Sequence, residues 1–172
     1  MLRTTKQLSQ ASQIVTLAEA KEHLRILHDE EDSYINTLIA VATAWGETDT
    51  DCIFGVSSWH DTFEGVNQCL HLAKQPVNQI TSVVVDGVAT DDYESVLSDV
   101  GYSTVRLTTP TIKKVVVTYS CGLPRASQQA VAKQLVLLLI GQLFNFREVE
   151  ITGAIVSKVT GYEQLKNNLK VV

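Results

Sequence analysis

Residues 114–126, KVVVTYSCGLPRA, decide the fold. Val115, Val117 and Tyr119 fall on one side of an extended chain and Lys114, Val116 and Thr118 on the other, the two-residue period of a β-strand. Gly122 and Pro124 then close the strand. From Ala126 to Arg147 there is no proline and a single glycine, Gly141, so a long helix follows. Ala130, Leu137 and Phe144 mark one line along it, and Val131, Leu135 and Leu138 mark a second. With Leu139 and Ile140 added, apolar surface nearly encircles the middle turns, which predicts burial of this helix, Leu138 included, against several neighbours.

Upstream of Lys114 the alternating period extends back to about Ile53. Thr81, Val83 and Val85 alternate and run into Asp86-Gly87, a two-residue turn whose members tolerate positive backbone angles. Val105 and Leu107 alternate in a further strand. Pro76 cannot donate to a sheet ladder and belongs outside a central strand or at an edge. The stretch predicts four to six antiparallel strands. Before Ile53 the period is helical. Thr16 and Glu19 have the spacing of a capping box, and Leu17, Ala20, Leu24 and Leu27 form an apolar stripe behind it. Asp29-Glu30-Glu31-Asp32 interrupts the stripe and suits a second helix start, since carboxylates are favoured at a positive N-terminus. Ile35, Leu38, Ile39, Ala42 and Trp45 line one face of that helix. The short join predicts an antiparallel hairpin.

The expected fold is therefore α+β: a helical core, built from the N-terminal helical hairpin and one long C-terminal helix, with an inserted antiparallel β-sheet and an extended C-terminal tail. In residue bounds, 1–15 is a polar N-terminal arm and 16–150 a single domain (16–51 hairpin, 52–122 β insertion, 124–148 long helix). Residues 151–172 are the tail. At 172 residues and 45% hydrophobic content the chain can bury a core of that size.

Charge narrows the function classes. The net charge of −5 argues against a free-standing nonspecific DNA binder, which would carry a basic face. The acids are concentrated: Thr16 to Asp51 holds nine against two basic residues, net −7. The tail is net +2, with Lys158, Lys166 and Lys170 against Glu163. No apolar targeting core opens the chain, and the apolar run Leu135–Ile140 is too short to span a bilayer. Three cysteines, an odd number, fit a reducing cytoplasm better than a disulfide framework. A soluble protein with no membrane partner is expected.

No catalytic constellation appears in the residue order. Gly122-Leu123-Pro124-Arg125 lacks phosphate-loop spacing, and Ser57-Ser58 lacks the glycine frame of a nucleophile elbow. Cys121 has no neighbouring histidine. Cys69 and His71 share a strand face, and Cys52 and His60 could complete four ligands, yet the spacings match no zinc pattern. No catalytic residue, metal or cofactor is expected.

Four stretches in order carry a family resemblance. Residues 16–26, TLAEAKEHLRI, with Asp29–Asp32, Tyr34 and Ile35 resemble a "TLxEAKxHLR…DDxDxxI" opening. Leu72, Pro76, Val77, Ile80, Val83, Asp86 and Gly87 are similar to "L…PVxxIxxV…DG". Val117–Gly122 with Pro124 resembles "VxYxxG…P", and Asn145–Glu148 resembles "YxNRE". The chain thus resembles the tailed-bacteriophage head–tail connector family, the adaptor or head-completion proteins, over Thr16 to Glu148. Both ends depart from the pattern, and the tail matches only through Gly161, Tyr162 and Leu165.

The resemblance implies a structural protein of the virion neck, made in the host bacterial cytoplasm. It implies a homo-oligomeric ring, a dodecamer of about twelve copies, bound under the portal protein. The ring would offer a platform to a stopper or tail-completion protein, with DNA passing through without sequence-specific binding. Ile155, Val156, Lys158, Val159, Tyr162, Leu165, Lys166, Leu169 and Lys170 become the candidate portal-docking tail: sparse aliphatic anchors with steering lysines. Asp29, Glu30, Glu31 and Asp32 become a candidate acidic lumen or interface, since acids repel the DNA backbone. Other readings of the sequence are a different phage assembly protein, such as a tail terminator, or a small hydrolase or metal-dependent enzyme with a dispersed site.

Overall fold

The structure, a computed structural model, describes residues 2–65, 67–98, 102–111, 113–146 and 160–169. The chain divides into two compact units: a sheet unit (Met1–Ser12, Asp51–Pro124 and Val171–Val172) and a helical unit (Gln13–Thr50 and Arg125–Lys170). The α+β expectation holds, with the sheet inserted between helices.

The sheet unit contains β1 (Leu2–Gln7), β2 (Ser57–Glu64), β3 (Asn67–His71), β4 (Val77–Val85), β5 (Val88–Ala89), β6 (Tyr93–Val96), β7 (Thr104–Thr111) and β8 (Val115–Cys121). One sheet has the order β1-β2-β8-β4-β5 and the other β3-β7-β6, with all pairings antiparallel. Among the described residues seven strands fall between Ile53 and Gly122, more than the four to six expected, because β5 and β6 are too short to show a period. β8 is the central strand. Its Val115, Val117, Tyr119 and Cys121 are buried, as the alternation required, together with Phe63, Leu70, Leu72, Val77, Val83, Val105 and Leu107.

β4 departs from simple alternation. Val77 faces Cys121, Ile80 faces Tyr119 and Val83 faces Val117, with register shifts at Val77/Gln79 and Ile80/Ser82. Each shift adds a residue to β4, as a β-bulge does, so its core-facing residues recur every third position. Thr81, which shares a two-residue alternation with Val83 in the sequence, is therefore exposed. The Asp86-Gly87 turn has φ +52° and +84°, the two positive angles of a type I′ hairpin. Gly122, at φ +146°, brings its backbone so near Val56 that a Cβ would lie 2.9 Å from the Val56 Cα.

The polar N-terminal arm is not a free segment. Leu2–Gln7 forms a full edge strand against β2, and Ser9 and Ser12 accept from Ser58 N and Val56 N through their hydroxyls, each at 2.8 Å. Arg3 and Lys6 charge this edge, which discourages pairing with another sheet.

The helical unit contains α1 (Leu17–Leu24), α2 (Asp32–Thr50), α3 (Ala126–Asn145) and α4 (Thr160–Leu169). The capping box forms as expected: Glu19 N donates to Thr16 Oγ1 at 3.3 Å, and Thr16 N to Glu19 Oε2 at 2.9 Å. Arg25, in the left-handed region at φ +60°, ends α1 before Leu27. That residue leaves the expected stripe and is 98% exposed. From α2, Ile35, Leu38, Ile39 and Ala42 are buried as expected. Trp45 is not; Gly46 occupies the buried line instead. In α3 the buried stripe is Ala132, Leu135, Val136, Leu139 and Ile140. Leu138, Leu137 and Val131 are half-buried and Ala130 is exposed, so the expected burial of Leu138 is corrected to Leu135 and Leu139. An all-round apolar helix does not reveal its phase. No helix among the described residues is long and apolar enough to cross a membrane.

Candidate interaction surfaces

The acidic run sits at the α1–α2 turn. Lys21, on α1, reaches across it and donates to Asp29 at 2.6 Å and Asp32 at 2.7 Å. Those hydrogen bonds raise the Lys21 ammonium pKa, and Lys21 in turn lowers that of Asp29. Two of the four acids thus share one lysine, which offsets one of their two charges. His28 lies 4.0 Å from Glu31, and Glu30 is exposed. The negative field of this corner is therefore smaller than its sequence count suggests.

The tail residues separate into two groups. Ile155, Val156, Lys158, Val159 and Lys170 lie outside the described residues. Tyr162, Leu165, Lys166 and Leu169 belong to α4, whose Leu169 is buried. Asp49, near the end of α2, accepts from Tyr162 Oη at 2.8 Å and from Lys166 Nζ at 2.7 Å. Burial and then Asp49 push the Tyr162 phenol pKa up; Asp49 foremost raises that of Lys166. The carboxylate clamp joins α4 to α2, a contact that sparse apolar residues in a polar tail did not signal.

In the sheet unit, β2 carries Asp61, fully buried. Its Oδ2 accepts from Ala73 N at 2.7 Å and from Tyr119 Oη at 3.0 Å, while Lys74 N donates to Tyr119 Oη at 3.3 Å. Burial first, then the Asp61 charge, push the Tyr119 phenol above its ordinary range, and the same two causes raise the Cys121 thiol. Cys121 Sγ donates to Lys74 O at 3.3 Å, so it is a buried thiol and not a poised thiolate. The network fastens Ala73 and Lys74 to the sheet. Nothing in the residue order singled out Asp61, one acid in a β2 face otherwise made of Ser57, Trp59 and Phe63.

Cys69 and His71 are both exposed on β3, with Leu70 buried between them, while Cys52 is buried. Among the described residues no three histidines, cysteines or acids come together as a metal site would need. Two grooves open on the sheet unit, about 250 Å³ beside Gln68, Glu94 and Arg106 and about 340 Å³ beside Val85, Leu107 and Pro110. Among the described residues, neither is lined by a serine, cysteine or histidine. The surface features built from the tail and the acidic run are therefore the corner held by Lys21 and the terminal helix clamped to α2.

The family of phage gp6-like head-tail connector proteins matches residues 14–103, from just before the capping box of α1 to the residue preceding β7. The chain belongs to that family. The connector is accordingly a structural protein, in a family that is not a class of enzymes. Its fold is shared with chains of gene transfer agent particles. A chain from the neck of an empty particle, computed with C6 symmetry, matches with TM-score 0.75 at 18% identity, covering 98% of the connector and 96% of that chain. A chain from the native virion gives 0.77 at 16%, covering 98% and 95%. A chain from the native neck, computed with C12 symmetry, gives 0.70 at 16%, covering 98% and 96%. No curated protein matches the connector in sequence.

Proposed function

We propose that the connector occupies the neck of a tailed particle, as one subunit of a dodecameric ring beneath the portal protein and above a stopper or tail-completion protein. Membership of the head-tail connector family carries this reading. Near full-length likeness to chains from necks with sixfold and twelvefold symmetry supports it. A ring of like subunits needs a heterologous contact, one face of each copy meeting a different face of the next. The corner at Glu30 and Glu31 faces the DNA channel and keeps the duplex from adhering, because acids give no counterion-release gain on the backbone.

The tail docks on the portal. Ile155, Val156 and Val159 supply aliphatic anchors, Lys158 and Lys170 steer the encounter, and Leu165 adds to the anchors. Tyr162 and Lys166 are held on α2 through Asp49, Leu169 is buried, and all three join the portal contact when α4 leaves that clamp. Truncation after Thr152 tests this arm. Circular dichroism and melting first establish that the truncated chain is folded; portal rings are then sedimented with it. Loss of co-sedimentation from a folded truncation is the expected result. Portal binding equal to that of the full chain would move the contact to the body of the molecule.

A further inference from the structure

α2 presents an exposed strip that its packing in the helical unit leaves open: Thr37, Ala40, Val41, Ala44, Trp45 and Thr48. These positions follow one another at helical spacing over about three turns. None is ionisable, although 19% of the chain is charged; Glu47 stands at the border and Asp49 is engaged with α4. Val41 is 47% and Trp45 46% exposed. The two hydroxyl protons are used within the helix: Thr37 Oγ1 donates to Ser33 O at 3.0 Å and Thr48 Oγ1 to Ala44 O at 2.8 Å. With those donors turned back onto the helix, the strip is apolar in effect. Depletion of charge with an exposed tryptophan is the compositional mark of an interface centre.

We infer that this α2 strip is the lateral contact at which a second copy of the connector docks. The inference rests on the ring proposed above and names one of its two faces. Charge selects the occupant. Each copy carries −5, so like copies repel wherever their acids meet, and an uncharged strip lets them approach without burying an unpaired carboxylate. DNA would require basic groups here, and the portal contact is assigned to the tail. Ala40 and Ala44 let a neighbouring backbone come close, while Val41 and Trp45 supply the apolar area.

The test measures association of the full chain by sedimentation velocity, free over a concentration series and on portal rings. Trp45→Glu places a carboxylate in the strip, Trp45→Phe keeps the apolar contact, and Val88→Glu adds the same charge on the sheet unit, where Val88 is 69% exposed. With unchanged circular dichroism, Trp45→Glu is expected to weaken association on the order of 30-fold or more. Trp45→Phe stays within roughly threefold of the parent, since a large ring still fills the contact. Val88→Glu associates as the parent does. A folded Trp45→Glu variant that associates like the parent would overturn the assignment of this strip and leave the ring intact. A parent chain that never associates with itself, free or on portal rings, would overturn the ring and the strip together.

Discussion

Asp61 is the residue on which the sheet unit depends most for its polar interior. Its carboxylate satisfies the Ala73 N–H and the Tyr119 hydroxyl at once, and removing it orphans both in a buried setting. Asp61→Ala is expected to cost about 3 kcal/mol, lowering the melting temperature by roughly 6–12 °C. A loss under about 1 kcal/mol in urea titration would show that the network is not needed. Glu19 offers a pH-dependent counterpart in the helical unit. The Lys133 hydrogen bond first, and the Thr16 N–H next, hold its pKa at about 2 instead of 4.5. A depressed carboxylate pKa stabilises the fold fully above pH 4.5 and loses that contribution as pH falls toward 2. Side chains about two-fifths exposed (38% and 40%) keep the effect modest. Glu19→Gln is expected to melt a few degrees lower at pH 7, about 1 kcal/mol. The difference should close between pH 4.5 and 2 in a series of thermal melts; a gap unchanged at pH 2 would assign it to packing instead of charge.

At the scale of elements, legibility followed the strength of local signals. The capping box, the Asp86-Gly87 hairpin and the alternation of β8 were all readable because each is fixed within a few residues. The two bulges of β4 were not, since they answer to the register of β8 across the sheet and leave Thr81 outside a phase it shares in sequence with Val83. β1 was unreadable for a related reason: Leu2–Gln7 buries almost nothing and is a strand because β2 offers it a ladder. In α3 the apolar residues were correctly assigned to a helix, but their abundance concealed which stripe faces inward. The buried phase makes a direct prediction. Leu135→Asp sets an uncompensated carboxylate at a fully buried position and should prevent soluble folding, at a cost of several kcal/mol. Leu138→Asp, half-buried, should yield folded protein with a smaller loss. Soluble, normally melting Leu135→Asp protein would mean that the stripe has been placed on the wrong face.

The whole molecule comprises a sheet unit and a helical unit, and among its described residues no three histidines, cysteines or acids gather as a metal site would need. Family resemblance was legible from motifs spread over Thr16 to Glu148, and the family match covers residues 14–103 of the same body. The candidate surfaces were only partly legible. Charge composition marked the acidic corner, but Lys21, bridging Asp29 and Asp32, offsets one of its four negative charges. In the sequence Trp45 falls on the apolar face with Ile35, Leu38, Ile39 and Ala42, and its exposure is what marks the strip. The most direct measurement is the mass of the full connector bound to isolated portal rings, by mass photometry or native mass spectrometry. A portal-bound ring of about twelve connector chains is expected, in keeping with a closed cyclic assembly. Portal rings that take up no connector at saturating concentration, or take up scattered single copies, would contradict the ring.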